Sequence, residues 1–268
     1  MSRIENCFAQ LRTRGEKALV AFVSAGDPLP TGTADLVVAL ANAGADIVEL
    51  GVPFSDPLAD GPTIQASSQR ALDSGMTPPR VLEIVREIRT RSDVPLILMG
   101  AWNPVIAYGM EQFAYDAVAA GADGTIVTDL SPDEARDWKR VSDAAGLDTI
   151  FLLAPTSTTA RMSLVGQMAS GFIYCVSRTG VTGARQDVPV NLPGLIDGIR
   201  ERVGGLPICV GFGISDPESV RSISAYADGV VVGSALVDLL HRERESPRML
   251  ELAGAFITAL KSATKQGD

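Results

Sequence analysis

The chain has 268 residues, 46% of them apolar, and a formal net charge of −9. Such an acidic balance argues against nucleic acid or an anionic membrane as the main partner. No apolar run approaches the roughly 20 residues of a membrane-spanning helix.

The elements alternate from the start. Residues 2–14 read as a helix, with Ile4, Phe8 and Leu11 at helical spacing. Leu19–Ser24 is a short β-rich run, closed by the turn Ala25-Gly26-Asp27-Pro28. Helix 33–43 stops at Gly44, and strand 47–50 follows. Helices over 63–72 and 79–91 lead to strand 95–99. Helix 111–120, strand 125–127, helix 132–145, strand 149–153 and helix 158–168 continue the alternation. Strand 172–176 precedes a polar, Gly-rich segment, 177–187, then helix 192–202. Strand 207–210, helix 217–225, strand 230–232, and helices 235–241 and 249–261 complete the chain.

Strands apolar on both faces, alternating with helices, indicate a parallel sheet. Eight such units predict a single (β/α)8 TIM barrel over residues 1–268, with an extra N-terminal helix. An open doubly wound sheet is the rival, but no Gly-x-Gly-x-x-Gly follows the first strand.

What the chain lacks narrows the chemistry. His241 is the lone histidine, so a His-cluster metal site is unsupported and a Ser-His-Asp triad is disfavoured. None of Lys17, Lys139, Lys261 and Lys265 sits late in an apolar strand, which disfavours a Schiff-base lysine. Cys7, Cys175 and Cys209 are far apart and fit reduced thiols. The N-terminus lacks the pattern of a secretion signal, so the expectation is a cytoplasmic protein.

Barrel sites lie at the C-terminal ends of the strands. Glu49 stands in the apolar second strand and Asp60 in the Pro- and Gly-rich loop beyond it. Carboxyls so differently solvated should have their pKa values pushed apart, which suits proton transfer. A structural ion pair is the alternative for Glu49, and plain turn formation for Asp56 and Asp60. Gly211-Phe212-Gly213 and Gly233-Ser234 follow strands seven and eight, where barrels hold phosphate; tight turns without a ligand are the alternative. Segment 177–187 suits a lid, or an ordinary insertion. Phe22, Leu152 and Tyr174 are placed near the ends of strands one, five and six, as core or as substrate wall. The residues thus describe a barrel enzyme that binds a small phosphate ester and moves protons with two carboxylates.

The stretch Glu49-Leu50-Gly51-Val52-Pro53-Phe54-Ser55-Asp56-Pro57-Leu58-Ala59-Asp60-Gly61-Pro62 closely resembles the signature of the tryptophan synthase alpha subunit family. Ser177-Arg178-Thr179-Gly180-Val181-Thr182-Gly183, Gly211-Phe212-Gly213-Ile214-Ser215 and Gly233-Ser234-Ala235 extend the match. The resemblance implies a lyase that cleaves indole-3-glycerol phosphate to indole and glyceraldehyde 3-phosphate by a retro-aldol reaction. It implies Glu49 as the acid–base group and Asp60 as the partner of the indole nitrogen. Gly183, Gly211, Phe212, Gly213, Gly233 and Ser234 would hold the phosphate. Phe22, Leu152 and Tyr174 would wall the indole, and Thr182 would close the lid onto Asp60. The resemblance further implies a beta subunit carrying pyridoxal phosphate, met through Asp56, Pro57 and Asn103 in an alpha2beta2 heterotetramer; no cofactor is expected in this chain.

One departure stands out. The family usually has tyrosine where Ala101 stands, which suggests weakened catalysis unless Trp102 compensates. The competing functions are therefore a barrel that mainly activates a beta subunit and, less favoured, a phosphate-binding isomerase.

Overall fold

The computed structural model describes residues 1–176, 191–211 and 213–265. Eight parallel strands close into a barrel in sequential order, each paired with the next and the eighth with the first. They are β1 (Ala18–Ser24), β2 (Ile47–Gly51), β3 (Leu96–Gly100), β4 (Gly124–Val127), β5 (Asp148–Leu153), β6 (Ile173–Val176), β7 (Ile208–Gly211) and β8 (Gly229–Val232). The expected TIM barrel is present, with strand ends within a residue of the expected ones. Among the described residues, no helix is long and apolar enough to cross a membrane.

Two helical assignments change. Trp102–Tyr108 forms a helix where the sequence reading assigned no element. It is only seven residues long, so its periodicity is too short to read. Residues 132–135 are turn, and the following helix runs only from Arg136 to Ala145. Numbered in chain order, the helices are α1 (Arg3–Thr13), α2 (Thr33–Asn42), α3 (Pro62–Asp73), α4 (Pro78–Arg89), α5 (Trp102–Tyr108) and α6 (Met110–Ala120). Then come α7 (Arg136–Ala145), α8 (Thr159–Met168), α9 (Leu192–Arg200), α10 (Pro217–Ser224), α11 (Ser234–Arg242) and α12 (Met249–Ser262).

Strand alternation divides the apolar residues into two cores. The outer one, between barrel and helices, takes Val48 and Leu50 of β2 with Leu40 and Val85. The inner one takes Val20, Ile47, Ile97, Ile126, Ile150 and Val231. Ile4, Phe8 and Leu11 of α1 join this inner core, and Phe8 meets Phe172 at a ring-centroid distance of 5.9 Å. The extra helix therefore plugs the bottom of the barrel. A reciprocal capping box fixes its start: Ser2 Oγ accepts from the Glu5 amide, and Glu5 accepts from the Ser2 amide.

A repeated phrase in the sequence marks how strands are entered at that end. Ala43-Gly44-Ala45-Asp46, Ala120-Gly121-Ala122-Asp123 and Ala145-Gly146-Leu147-Asp148 recur, with Ala225-Tyr226-Ala227-Asp228 as a variant. Gly121 and Gly146 end their helices in the left-handed conformation, which glycine adopts without Cβ strain. Three of the aspartates then reach back to the preceding strand. Asp46 accepts from the Leu19 amide, Asp123 from Leu96, and Asp228 from Ile208, at 2.8–3.0 Å. Each also meets a cation: Lys261 on Asp46, Arg89 and Arg3 on Asp123, and Arg200 on Asp228. Strand register at the closed end is thus set by local carboxylates, which leaves the other end free to carry loops.

Candidate active site

A cleft of about 590 Å³, including its open mouth, lies over the C-terminal ends of β1 to β4. Its walls include Phe22 and Ser24 of β1, Gly51 through Asp60, Met99 to Ala101, and Thr128 with Asp129. Glu49 lies one turn of the pleat below Gly51, paired in register with Phe22 on one side and Ile97 on the other. It shares the inward face with Ile47 and does not itself line the cleft.

Glu49 is 1% exposed, and neither carboxylate oxygen has a hydrogen-bond partner among the described residues. Among the described residues, no ion pair holds it. Burial in this apolar wall pushes its pKa up to about 8. A buried, unpartnered acid is costly to keep, so its retention points to chemistry rather than stability.

Asp60 lies on the cleft wall, at the end of a loop fastened to α3. Gln65 donates to the Asp60 carbonyl at 2.9 Å, and the Asp60 amide donates to the Pro57 carbonyl at 3.0 Å. Ser68 Oγ accepts from the Phe54 amide at 3.0 Å. The backbone is thus pinned while the carboxyl is left to the cleft. Burial, and then the negative charge of Asp129, raise its pKa to about 6. The two carboxyls are therefore separated, as expected, but Asp60 is itself raised rather than ordinary.

The base of α3 is tied to β1 by a polar cluster that no local sequence signal announces. Arg70 grips Asp27 through two contacts of 2.6 and 2.9 Å, and Asp27 is 4% exposed. Ser67 Oγ lies 2.9 Å from the same carboxylate and 2.6 Å from Ser24 Oγ. These contacts join positions 40 to 43 apart in the chain, so only folding brings them together.

The structure brings Phe22, Asp56, Pro57 and Asp60 to the cleft. Leu152 and Tyr174 face each other in the β5–β6 register and belong to the inner core, outside the cleft walls. Tyr174 is second of four residues in β6 rather than at its end. Burial, then the nearby Glu49 carboxyl, holds its phenol well above the usual range, and Asp60 adds to this.

The glycines have separate reasons. A Cβ on Gly211 would stand 2.3 Å from the Tyr174 hydroxyl, so this glycine makes room for a neighbouring ring. Gly213 has φ +79°, in the left-handed region that favours glycine. Gly233 precedes α11 with no side-chain cap, leaving the first turn, from Ser234, without a side-chain acceptor. Thr182, Gly183, Phe212 and the expected lid, 177–187, lie outside the described residues. Among the described residues, no group of three His, Cys, Asp or Glu side chains could hold a metal ion.

Ala101 is 8% exposed and lines the cleft, whereas Trp102 does not. Trp102 turns outward onto Trp138, edge to face at 5.7 Å. It therefore does not supply an aromatic wall in place of Ala101. Asn103, the second residue of α5, is exposed and is not among the residues that line the cleft.

A profile described as "Tryptophan synthase alpha chain" matches residues 8–265. The tryptophan synthase alpha chain of Geobacter sp. (strain M21) is 53% identical over 267 residues, covering 100% of this chain and 99% of the relative. The solved tryptophan synthase subunit alpha of Legionella pneumophila str. Paris is 38% identical, with a TM-score of 0.89 and 98% of both chains covered. A chain of Mycobacterium tuberculosis tryptophan synthase superposes with a TM-score of 0.90 at 37% identity, covering 99% of each chain. The chain belongs to the tryptophan synthase alpha chain family, whose reaction is the cleavage of indole-3-glycerol phosphate.

Proposed function

We propose that this barrel performs the cleavage with Glu49 as acid and base and Asp60 as the charge partner of the indole nitrogen. The observation that carries the assignment is Glu49: a fully buried carboxyl, without a partner among the described residues, on the inner wall below the cleft that contains Asp60.

The roles follow from the environments. A carboxyl with its pKa near 8 holds its proton at neutrality and can give it to the indole carbon that bears the glycerol chain. The ring then carries positive charge, shared with its nitrogen. Asp60, ionised above about 6, stabilises that charge, or accepts the N–H proton and returns it as the carbon–carbon bond breaks. Glu49, now a carboxylate, takes the proton from the adjacent hydroxyl. The electron pair becomes the carbonyl, the carbon–carbon bond breaks, and its electrons restore the indole. The net change is one proton moved from oxygen to carbon, giving indole and glyceraldehyde 3-phosphate.

The phosphate is assigned to the turns after β7 and β8, at Gly211, Phe212, Gly213, Gly233 and Ser234, with Gly183 from the lid. The uncapped first turn of α11 supports this, because its amides suit an anion. Leu152 and Tyr174 form the inner wall beneath the ring, with Phe22 at its edge. Thr182 is assigned to closing the lid.

A rim of Asp56, Pro57, Leu58 and Asn103 is read as the face for the beta subunit, which would carry the pyridoxal phosphate of an alpha2beta2 heterotetramer. Leu58 is 88% exposed, a large apolar side chain offered to solvent beside the cleft. The chain is read as one barrel domain working in the cytoplasm.

The direct test is indole release from indole-3-glycerol phosphate, alone and with a beta subunit. Release that increases with the partner supports both assignments. Absence of release with continued stimulation of the beta subunit would replace the lyase by a scaffold.

Two expected outcomes refine the assignment. The pH profile of kcat/KM should be bell-shaped. Its acid limb, near pH 6, reports protonation of Asp60, and its basic limb, near pH 8, loss of the Glu49 proton. A flat profile from pH 5 to 9 would separate these groups from the chemistry. The second concerns Ala101, which leaves a small side chain on the cleft wall. Ala101→Tyr should raise kcat/KM several-fold by restoring an aromatic surface against the ring, worth about 0.5–1.5 kcal/mol beyond area burial. Unchanged kcat/KM would mean that the cleft closes without that wall.

A further inference from the structure

Asp129 belongs to the cleft by position. It follows β4 in the chain and lines the same space as Asp60, from the loop two strands along the barrel. Its Oδ1 accepts from the Trp102 amide at 2.7 Å. Trp102 opens α5, whose N-cap residue, Ala101, makes no side-chain cap bond. Asp129 therefore supplies from another strand the acceptor that the local sequence lacks. One carboxylate joins the β3 loop to the β4 loop and fixes the wall at Ala101.

The same carboxylate also sets the charge of this end of the cleft. The charged side chains lining it, among the described residues, are Asp56, Asp60 and Asp129. The remaining walls bring no charge: Phe22 and Ser24 from β1, Ile64 and Ser68 from α3, Met99 to Ala101 from β3, and Thr128. Beneath lie Glu49 and the neutral Tyr174, which feels both Glu49 and Asp60. An end lined by carboxylates repels the anionic end of a substrate and accepts a neutral N–H group.

We propose that Asp129 is a positioning residue of the cleavage reaction: it clamps the β3 loop wall through the Trp102 amide, and its charge beside Asp60 reserves this end of the cleft for the N–H group of the substrate. The inference rests on the assignment of Asp60 to the indole nitrogen. Its like charge also works in the direction of the raised pKa of Asp60, second to burial.

Asp129→Asn keeps an acceptor for the Trp102 amide and removes the charge. Asp129→Ala removes both. The experiment is kcat and KM for indole-3-glycerol phosphate across pH 5–9, for wild type, both variants and Asp60→Asn. In Asp129→Asn the acid limb of kcat/KM should move at least half a pH unit lower. Asp129→Ala should show the same displacement and a KM raised at least fivefold, which the Asn variant largely rescues. A purely structural residue would lower Tm and leave the acid limb in place. If Asp60→Asn abolishes activity while the acid limb of Asp129→Asn coincides with wild type, the proposal is overturned. If Asp60→Asn remains fully active, the assignment of Asp60 fails first, and the proposal with it.

Discussion

Replacing Glu49 by glutamine is expected to remove at least about a thousandfold of indole release, because the proposed mechanism has one carboxyl serve as both acid and base and each role contributes roughly 10²–10⁴. Glutamine is near in shape and can neither give nor take the proton. The same replacement should stabilise the fold, and the pH dependence shows why. The Glu49 pKa in the folded chain is about 8, above the ordinary value of 4.5. Between those values the folded state keeps a proton that the unfolded state has lost. Stability from this group is therefore full below the ordinary value and declines as pH rises to about 8, by about 1.4 kcal/mol per pH unit at most. Glutamine has no such slope. The variant should gain on wild type from pH 5 to 8, reaching a few kcal/mol at the upper end, on the order expected for a buried unpaired charge. Activity assays and urea unfolding at three pH values measure both effects. A variant that is inactive but shows the wild-type pH slope would mean that another group carries the raised pKa.

Asp123→Ala is expected to destabilise the barrel by about 3–5 kcal/mol, the usual result of removing one partner of a buried pair. Asp123 accepts from Arg89 at 2.6 Å, from Arg3 at 3.0 Å and from the Leu96 amide at 2.8 Å, while 7% exposed. Its loss strands the part-buried Arg89 guanidinium and an amide at the start of β3. It also frees Arg3, and with it one tie between α1 and the barrel floor. Arg89 would keep its carbonyl contacts to Gly121 and Val94, at 2.7 and 2.6 Å, so the arginine is held in place without a counter-charge. Asp228→Ala should cost less, because the Arg200 side chain is 43% exposed and water screens that pair. Denaturant midpoints for the two variants provide the comparison. Equal losses would mean that the shared strand-entry hydrogen bond, rather than burial of the ion pair, sets the energy.

Neither effect depends on the other, because the sites occupy opposite ends of the barrel. The carboxylates at the floor satisfy backbone amides and cations, whereas Glu49 satisfies nothing within the described residues. That contrast separates the structural acids from the one proposed to act in catalysis.

The sequence by itself determined the barrel, because eight apolar runs separated by helical periods admit few other arrangements. It determined Glu49 as well, since a carboxyl within Ile47-Val48-Glu49-Leu50 is conspicuous wherever the strand packs. It also carried the repeated Ala-Gly-x-Asp entry to the strands, written in local residues. The tertiary structure alone decided the rest. Asp27 with Arg70, and Asp129 with the Trp102 amide, are joined across 43 and 27 residues. The outward turn of Trp102 depends on Trp138, and the need for Gly211 on the Tyr174 ring of another strand. Local sequence fixes which elements form because propensity and periodicity act over a few residues. Which side chains share a cleft is decided by strand register and barrel closure, which act over the whole chain.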